Sequence, residues 1–191
     1  MEWNKKKVVI SIDTEFESEN IITGNCLQLA FAVISDDLIS EEKSKSLSLC
    51  FLKQENKGVN ESCVQWWKNF PDILNRIRSE GRDIKSSMIN LQRWFNEIYT
   101  KYEVVEFLAD DSSIDMPWFR NLYLTHCDQS KNNFDLPLSC KCMYNMTETL
   151  IILGANKEEI IEYCTDGQYP HTHYALDDAI NTGYYYVRLK I

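Results

Sequence analysis

Two stretches near the start of the chain leave it few ways to fold. Lys7–Asp13 (KVVISID) is a β-branched run that reads as a central strand, and Cys26–Ser35 (CLQLAFAVIS) is apolar at nearly every position, which marks a second buried strand. Such strands belong in the middle of a sheet that is covered on each side, which makes the fold class α/β. Leu47–Leu52 supplies a third strand, and residues 7–52 read as a three-strand meander. Helical spacing then takes over, at Glu61–Phe70, at Pro71–Arg78 and at Ser86–Tyr102, where apolar residues recur at 88, 91, 94, 95, 98 and 99. Val104–Ala109 is a fourth strand that follows a helix, so a parallel crossover is the natural pairing. A helix is predicted to begin near Asp115 with Pro117 in its first turn, and residues 128–137 form a loop. Cys140–Tyr144 is a short fifth strand. Helices follow at 146–153 and 156–164, then a loop at Gly167–Thr172 and a closing helix at Tyr174–Leu189.

Composition narrows the functional classes. Of 191 residues, 44% are hydrophobic and 26% charged, which suits one domain spanning residues 1–191. Gly 6 and Pro 4 are too few for long linkers or low-complexity disorder. No apolar run approaches the ~18 residues of a membrane helix. The opening MEWNKKKVVISID passes from lysines into a strand with no small-residue cleavage site, so the expectation is a cytoplasmic chain away from the membrane. The seven scattered cysteines then read as reduced thiols, and Cys140-Lys-Cys142 lacks the second pair that a zinc site needs. The formal charge is −9, from 29 acidic and 20 basic residues, which excludes a passive nucleic-acid coat. An acidic chain still acts on phosphates when divalent cations supply the positive charge.

Three acidic segments carry the chemistry. In Ile12-Asp13-Thr14-Glu15-Phe16 the two-residue period of a strand puts Asp13 and Glu15 on one face. Adjacent carboxylates repel unless a cation lies between them, although a bare D-x-E taken alone reads more readily as a solvated strand end. In Ser113-Ile114-Asp115-Met116-Pro117-Trp118-Phe119 a strand leads to an aspartate at a helix start. A helix cap explains that aspartate too, and Asp110 and Asp111 compete with it. Asp115 is preferred because Phe119 and Leu122 fit an inward helix face. The third segment, His171-Thr-His173-Tyr-Ala-Leu-Asp177-Asp178-Ala, sets a histidine on a loop five residues before a helical aspartate. An imidazole titrating near neutrality suits a general base acting on water.

Together these segments resemble the histidine subtype of the DEDD exonuclease superfamily (DEDDh, DnaQ-like), and the resemblance covers nearly the whole chain. Asp13-Thr14-Glu15 stands in the first motif, Asp115 in the second, and His173 and Asp178 in the third. Asp13-Thr-Glu-Phe16 and Cys63-Val-Gln-Trp66-Trp67 resemble the branch containing phage exonuclease A and a mycobacterial exoribonuclease. Two departures stand out: Ala109-Asp-Asp-Ser-Ser is more acidic than the usual second-motif loop, and Tyr144-Asn-Met-Thr147 replaces an Asp-x-Arg-Thr-like segment.

The resemblance implies a ribonuclease H-like fold, with a five-stranded mixed sheet in the order 3-2-1-4-5 flanked by helices. It implies a 3′–5′ exonuclease that releases nucleoside 5′-monophosphates from DNA or RNA with two divalent cations, Mg²⁺ or Mn²⁺, about 4 Å apart. Asp13, Glu15, Asp115 and Asp178 would be the metal ligands and His173 the general base. Thr14, Phe16 and Trp67 are the candidate substrate-binding residues, with Phe16 stacking on the terminal base. The implied partner is single-stranded or 3′-overhang nucleic acid, and the reading allows a homodimer. His171 reads as a loop histidine, and Tyr174 is a candidate to hold that loop. The alternatives are a silent nucleic-acid-binding or protein-interaction module on the same fold, and a metallohydrolase of small phosphate esters.

Overall fold

The computed structural model describes residues 5–35, 45–137, 139–165 and 171–189. The polar segment 36–44 and most of the loop expected at Gly167–Thr172 lie outside them. Five strands, β1 (Lys6–Phe16), β2 (Cys26–Ile34), β3 (Ser46–Cys50), β4 (Tyr102–Ala109) and β5 (Lys141–Cys142), form one sheet in the order β3-β2-β1-β4-β5. β1 runs antiparallel to β2 and parallel to β4; β2 and β3 are antiparallel, β4 and β5 parallel. The mixed sheet and its order are those expected. Seven helices accompany it: α1 (Glu61–Trp67), α2 (Pro71–Glu80), α3 (Ile84–Lys101), α4 (Ser112–His126), α5 (Met143–Ile152), α6 (Lys157–Thr165) and α7 (Ala175–Leu189). Among the described residues no helix is long and apolar enough to cross a membrane.

The period of β1 sorts its side chains between two layers. Val8, Ile10 and Ile12 enter the main core with Phe95 of α3 and Phe119 of α4, whereas Val9 packs with Ala179, Tyr186 and Val187 of α7. Asp13 and Glu15 continue the α7 face, and Thr14 continues the α4 face. Cover on both faces is why β1 is buried from Val8 to Glu15 and β2 along its whole length, Ser11 and Gln28 included.

Helix α7 approaches the sheet closely because it presents Ala175, Ala179 and Gly183 at four-residue intervals. Its N-terminus is anchored by Gln28 of β2, whose Oε1 accepts the Ala175 N–H at 3.0 Å while its Nε2 donates to Ser48 Oγ. Both polar groups of this fully buried glutamine are thereby satisfied.

Two expected boundaries move. Helix α4 begins at Ser112, about a turn before Asp115, because Asp111 caps it by accepting from the N–H and hydroxyl of Ser113. Pro117 therefore lies inside the helix, and the carbonyl that its missing N–H leaves free is that of exposed Ser113, open to water. The fifth strand shrinks to Lys141–Cys142, because Met143 and Tyr144 already belong to α5.

A Cβ on Gly183 would collide with the side chain of Ile34 in β2. Gly183→Ala is expected to lower the free energy of unfolding by about 1–3 kcal/mol through overpacking, read from urea denaturation.

Candidate active site

The apolar run of β1 ends on charge. Asp13, Glu15 and Asp178 offer carboxylate oxygens within 4.8 Å of one another. Asp13 is 8% exposed, Glu15 9% and Asp178 2%. β1 supplies the first two from its α7 face, and α7, one turn from its start, supplies the third. Opposite Asp13 in the register of β2 is Ala30, whose small side chain leaves room for α7.

Asp115 arrives from the other layer. Its Oδ1 accepts from both the backbone N–H (3.0 Å) and the hydroxyl (2.7 Å) of Thr14. The strand residue between Asp13 and Glu15 thus clamps the helical aspartate, whose Oδ2 carries neither bond. Thr14 was expected at the substrate; it borders the cleft but commits its hydroxyl to Asp115.

Burial and mutual repulsion act in the same direction on this set. Burial first, then the charges of Asp115, Glu15 and Asp178, hold Asp13 well above the ordinary carboxylate value. Burial and then Asp178 and Asp115 do the same to Glu15. Burial pushes Asp115 up to about 7, against the hydrogen bonds from Thr14. Asp178 is raised by burial, opposed by the Thr172 N–H that donates to its Oδ1 at 2.8 Å. Its other oxygen, Oδ2, is buried without a hydrogen-bond partner. An orphaned carboxylate oxygen beside two further carboxylates fits a hard divalent cation, which would provide both counter-charge and ligation.

The histidine loop closes one side. His173 has a left-handed backbone, φ 58°, which a non-glycine residue adopts at some cost. Its ring packs on Phe70 and Trp66, with centroids at 4.2 and 4.7 Å. Burial and the neighbouring His171 lower its pKa. The next residue, Tyr174, holds the loop as anticipated: its hydroxyl donates to Glu80 Oε2 at 2.6 Å, and the Arg76 guanidinium lies 3.6 Å from its ring centre.

These groups surround a cleft of about 410 Å³ bordered by Asp13, Glu15, Asp115 and His173 and walled by Phe16 and Trp66. Phe16 is half-buried and stacks on Trp118, with centroids 5.7 Å apart. Trp67, expected at the substrate, is instead 2% exposed in a core cluster, with Nε1 donating to the Phe16 carbonyl at 2.9 Å. Trp66 takes the cleft position. The signal for this was in the spacing, since Cys63, Trp66 and Phe70 recur at three and four residues. His171 also borders the cleft and was missed as a site residue.

The sequence matches no protein-family model and no curated protein. Solved structures do match. Superposition on S. pombe Pop2p in its Mg²⁺- and Mn²⁺-bound form gives a TM-score of 0.66 at 11% identity, covering 95% of this chain and 82% of that one. The nuclease domain of 3′hExo, a DEDDh family member bound to rAMP, gives 0.58 at 15%, covering 99% and 93%. The zinc-bound complex of E. coli ExoI with single-stranded DNA gives 0.68 at 14%, covering 97% of this chain and 41% of ExoI. The chain has the ribonuclease H-like fold of these solved structures. Here the fold joins β1, α4 and the histidine loop before α7 at one cleft, with Asp178 of α7 grouped with Asp13 and Glu15 of β1.

Raised carboxylate pKa values have a thermodynamic consequence. Between the ordinary values and the raised ones, the native state holds more protons than the unfolded chain, so this cluster's contribution to stability falls as pH rises. The metal-free protein is therefore expected to lose thermal stability between about pH 4 and pH 7. Millimolar Mg²⁺ or Mn²⁺ should restore it at pH 7, and Asp13→Asn should flatten the dependence. Melting curves in chelator and in added metal check all three.

Proposed function

We propose that the chain is a metal-dependent 3′–5′ exonuclease of the DEDDh type, acting on single-stranded or 3′-overhang DNA or RNA. The observation that carries this reading is the meeting of three buried carboxylates, Asp13, Glu15 and Asp115, and the His173 imidazole at a single open cleft, with buried Asp178 grouped with Asp13 and Glu15. The nuclease names of the fold's neighbours support it. Asp13, Glu15, Asp115 and Asp178 would hold the cations. When bound, Mg²⁺ or Mn²⁺ supplies Lewis acidity and offsets the substrate's charge.

The chain's own residues do the rest. Phe16, backed by Trp118, offers a face for the terminal base, and Trp66 forms the opposite wall. His173 takes a proton from water on a ring nitrogen, and its lowered pKa keeps that nitrogen free at neutrality. The water oxygen forms a bond to the terminal phosphorus, the bond from phosphorus to the 3′-oxygen breaks, and that oxygen is protonated from solvent. A nucleoside 5′-monophosphate leaves. Thr14 keeps Asp115 aimed at the cleft throughout.

With 5′-labelled strands of DNA and RNA in Mg²⁺ or Mn²⁺, the expected product is a ladder shortening from the 3′ end. Asp13→Asn should abolish it, and His173→Ala should slow it by about 10²–10⁴-fold. Because the His173 pKa is lowered, activity should rise with pH along an acid limb centred below about 6.5. Strong binding of intact strands without cleavage would instead favour a silent binding module.

The cleft's lining makes a further demand. Among the described residues it includes six carboxylates and neither Lys nor Arg. Salt sensitivity accrues at a log–log slope of about −0.7 per phosphate neutralised on a single strand. With no lining cation to contribute, the affinity for single strands at fixed metal should vary with salt at a slope of magnitude below about 2, measured by fluorescence anisotropy on Asp13→Asn.

A further inference from the structure

His171 plays no part in the proposed reaction, yet it stands inside the site. Its Nδ1 lies 3.6 Å from Asp178 Oδ1, and its ring meets that of His173 at 85° with centroids 4.3 Å apart. His171, His173 and Asp178 present donor atoms within 4.8 Å of one another, a second such group that overlaps the carboxylate set at Asp178. The backbone builds this arrangement. The left-handed turn at His173 breaks the run of the loop, and the Thr172 N–H ties the intervening residue to the same Asp178 oxygen.

The donor chemistry differs from that of the carboxylate set. Two imidazoles and one carboxylate suit first-row transition ions, and zinc above all, better than Mg²⁺. Ligands on a tetrahedral zinc at 2.0–2.1 Å lie roughly 3.4 Å apart. The His171 side chain is half exposed and so free to close the remaining distance. Asp178, by contrast, is fixed and buried, and its Oδ2 lacks a hydrogen-bond partner. The three ligands leave a fourth position open to the cleft.

We propose that His171, His173 and Asp178 form a zinc site overlapping the catalytic centre, and that filling it silences the enzyme. Zinc on His173 occupies the lone pair that accepts the water proton, and it engages Asp178, the carboxylate that the two groups share. The zinc site itself is independent of the nuclease reading; the silencing rests on that reading.

Two measurements keep them apart. Titration of the full chain with Co²⁺, as a spectroscopic stand-in for zinc, should produce visible absorption bands of a nitrogen-ligated ion, competed away by Zn²⁺. His171→Ala should lose those bands and bind Zn²⁺ at least tenfold more weakly by calorimetry. In Mg²⁺-dependent cleavage assays, the Zn²⁺ concentration that halves each protein's own zinc-free rate should be at least tenfold higher for His171→Ala. Equal zinc affinity in the two proteins would overturn the site. His171-dependent Co²⁺ bands in a protein that cleaves nothing would leave the site standing and remove the nuclease reading. Active protein whose inhibition ignores His171 would overturn the silencing.

Discussion

Repulsion among buried carboxylates at the end of β1 is the constraint to which the rest of the structure answers. Asp13, Glu15, Asp115 and Asp178 are each nearly excluded from solvent; Asp115, Glu15 and Asp178 raise the proton affinity of Asp13, and Asp178 and Asp115 raise that of Glu15. Removing charge from water is costly unless a counter-charge or hydrogen bonds replace the lost hydration. The protein supplies only part of that compensation. Thr14 donates twice to Asp115, and Thr172 donates to Asp178. Asp178 Oδ2 receives nothing from the protein. Such a cluster has the donor chemistry that a hard divalent cation takes.

The layering of the sheet brings the cluster together. One strand can place two carboxylates on one face, but a third and a fourth must come from helices packed above and below it. α7 reaches Asp13 and Glu15 because Ala175, Ala179 and Gly183 let it lie close to Ala30 and Ala32 of β2. α4 belongs to the opposite layer, so Asp115 meets the set over the end of β1, through Thr14. The alternation of a strand therefore does two jobs here: odd positions present carboxylates on one side, and the even position between them anchors the helix on the other.

This division explains what was legible in the sequence. β1 and β2 could be read because burial on both faces leaves a mostly apolar, β-branched stretch in each, the sheet order came with the family resemblance, and the D-x-E pair follows from period two. Asp115 and the His173–Asp178 spacing emerged only when the three segments were taken together, since each alone passes for a cap or a chance pair. The start of α4 was misplaced because three aspartates compete within six residues and only geometry shows that Asp111 is the cap. Trp66 and Trp67 were exchanged for a similar reason. Adjacent helical residues must face different ways, but which one faces the core depends on the Phe16 carbonyl, fifty-one residues away, that accepts from Trp67. Thr14 looked like a substrate contact because strand periodicity says nothing about a partner 101 residues distant.

His173 shows how local strain and long-range packing combine at such a site. Its left-handed backbone is unfavourable by itself, so the loop needs external support. Support comes from three directions: the aromatic wall of Trp66 and Phe70, the bond from Tyr174 to Glu80 on α2, and the tie from Thr172 to Asp178 on α7. The first two hold the ring against a wall that excludes water from one face and lowers its proton affinity. The third makes the carboxylate and the imidazole loop move as one piece. Any displacement of α7 is thus carried to both groups at once. The close packing of α7 on β2 and the position of His173 are two ends of one mechanical connection.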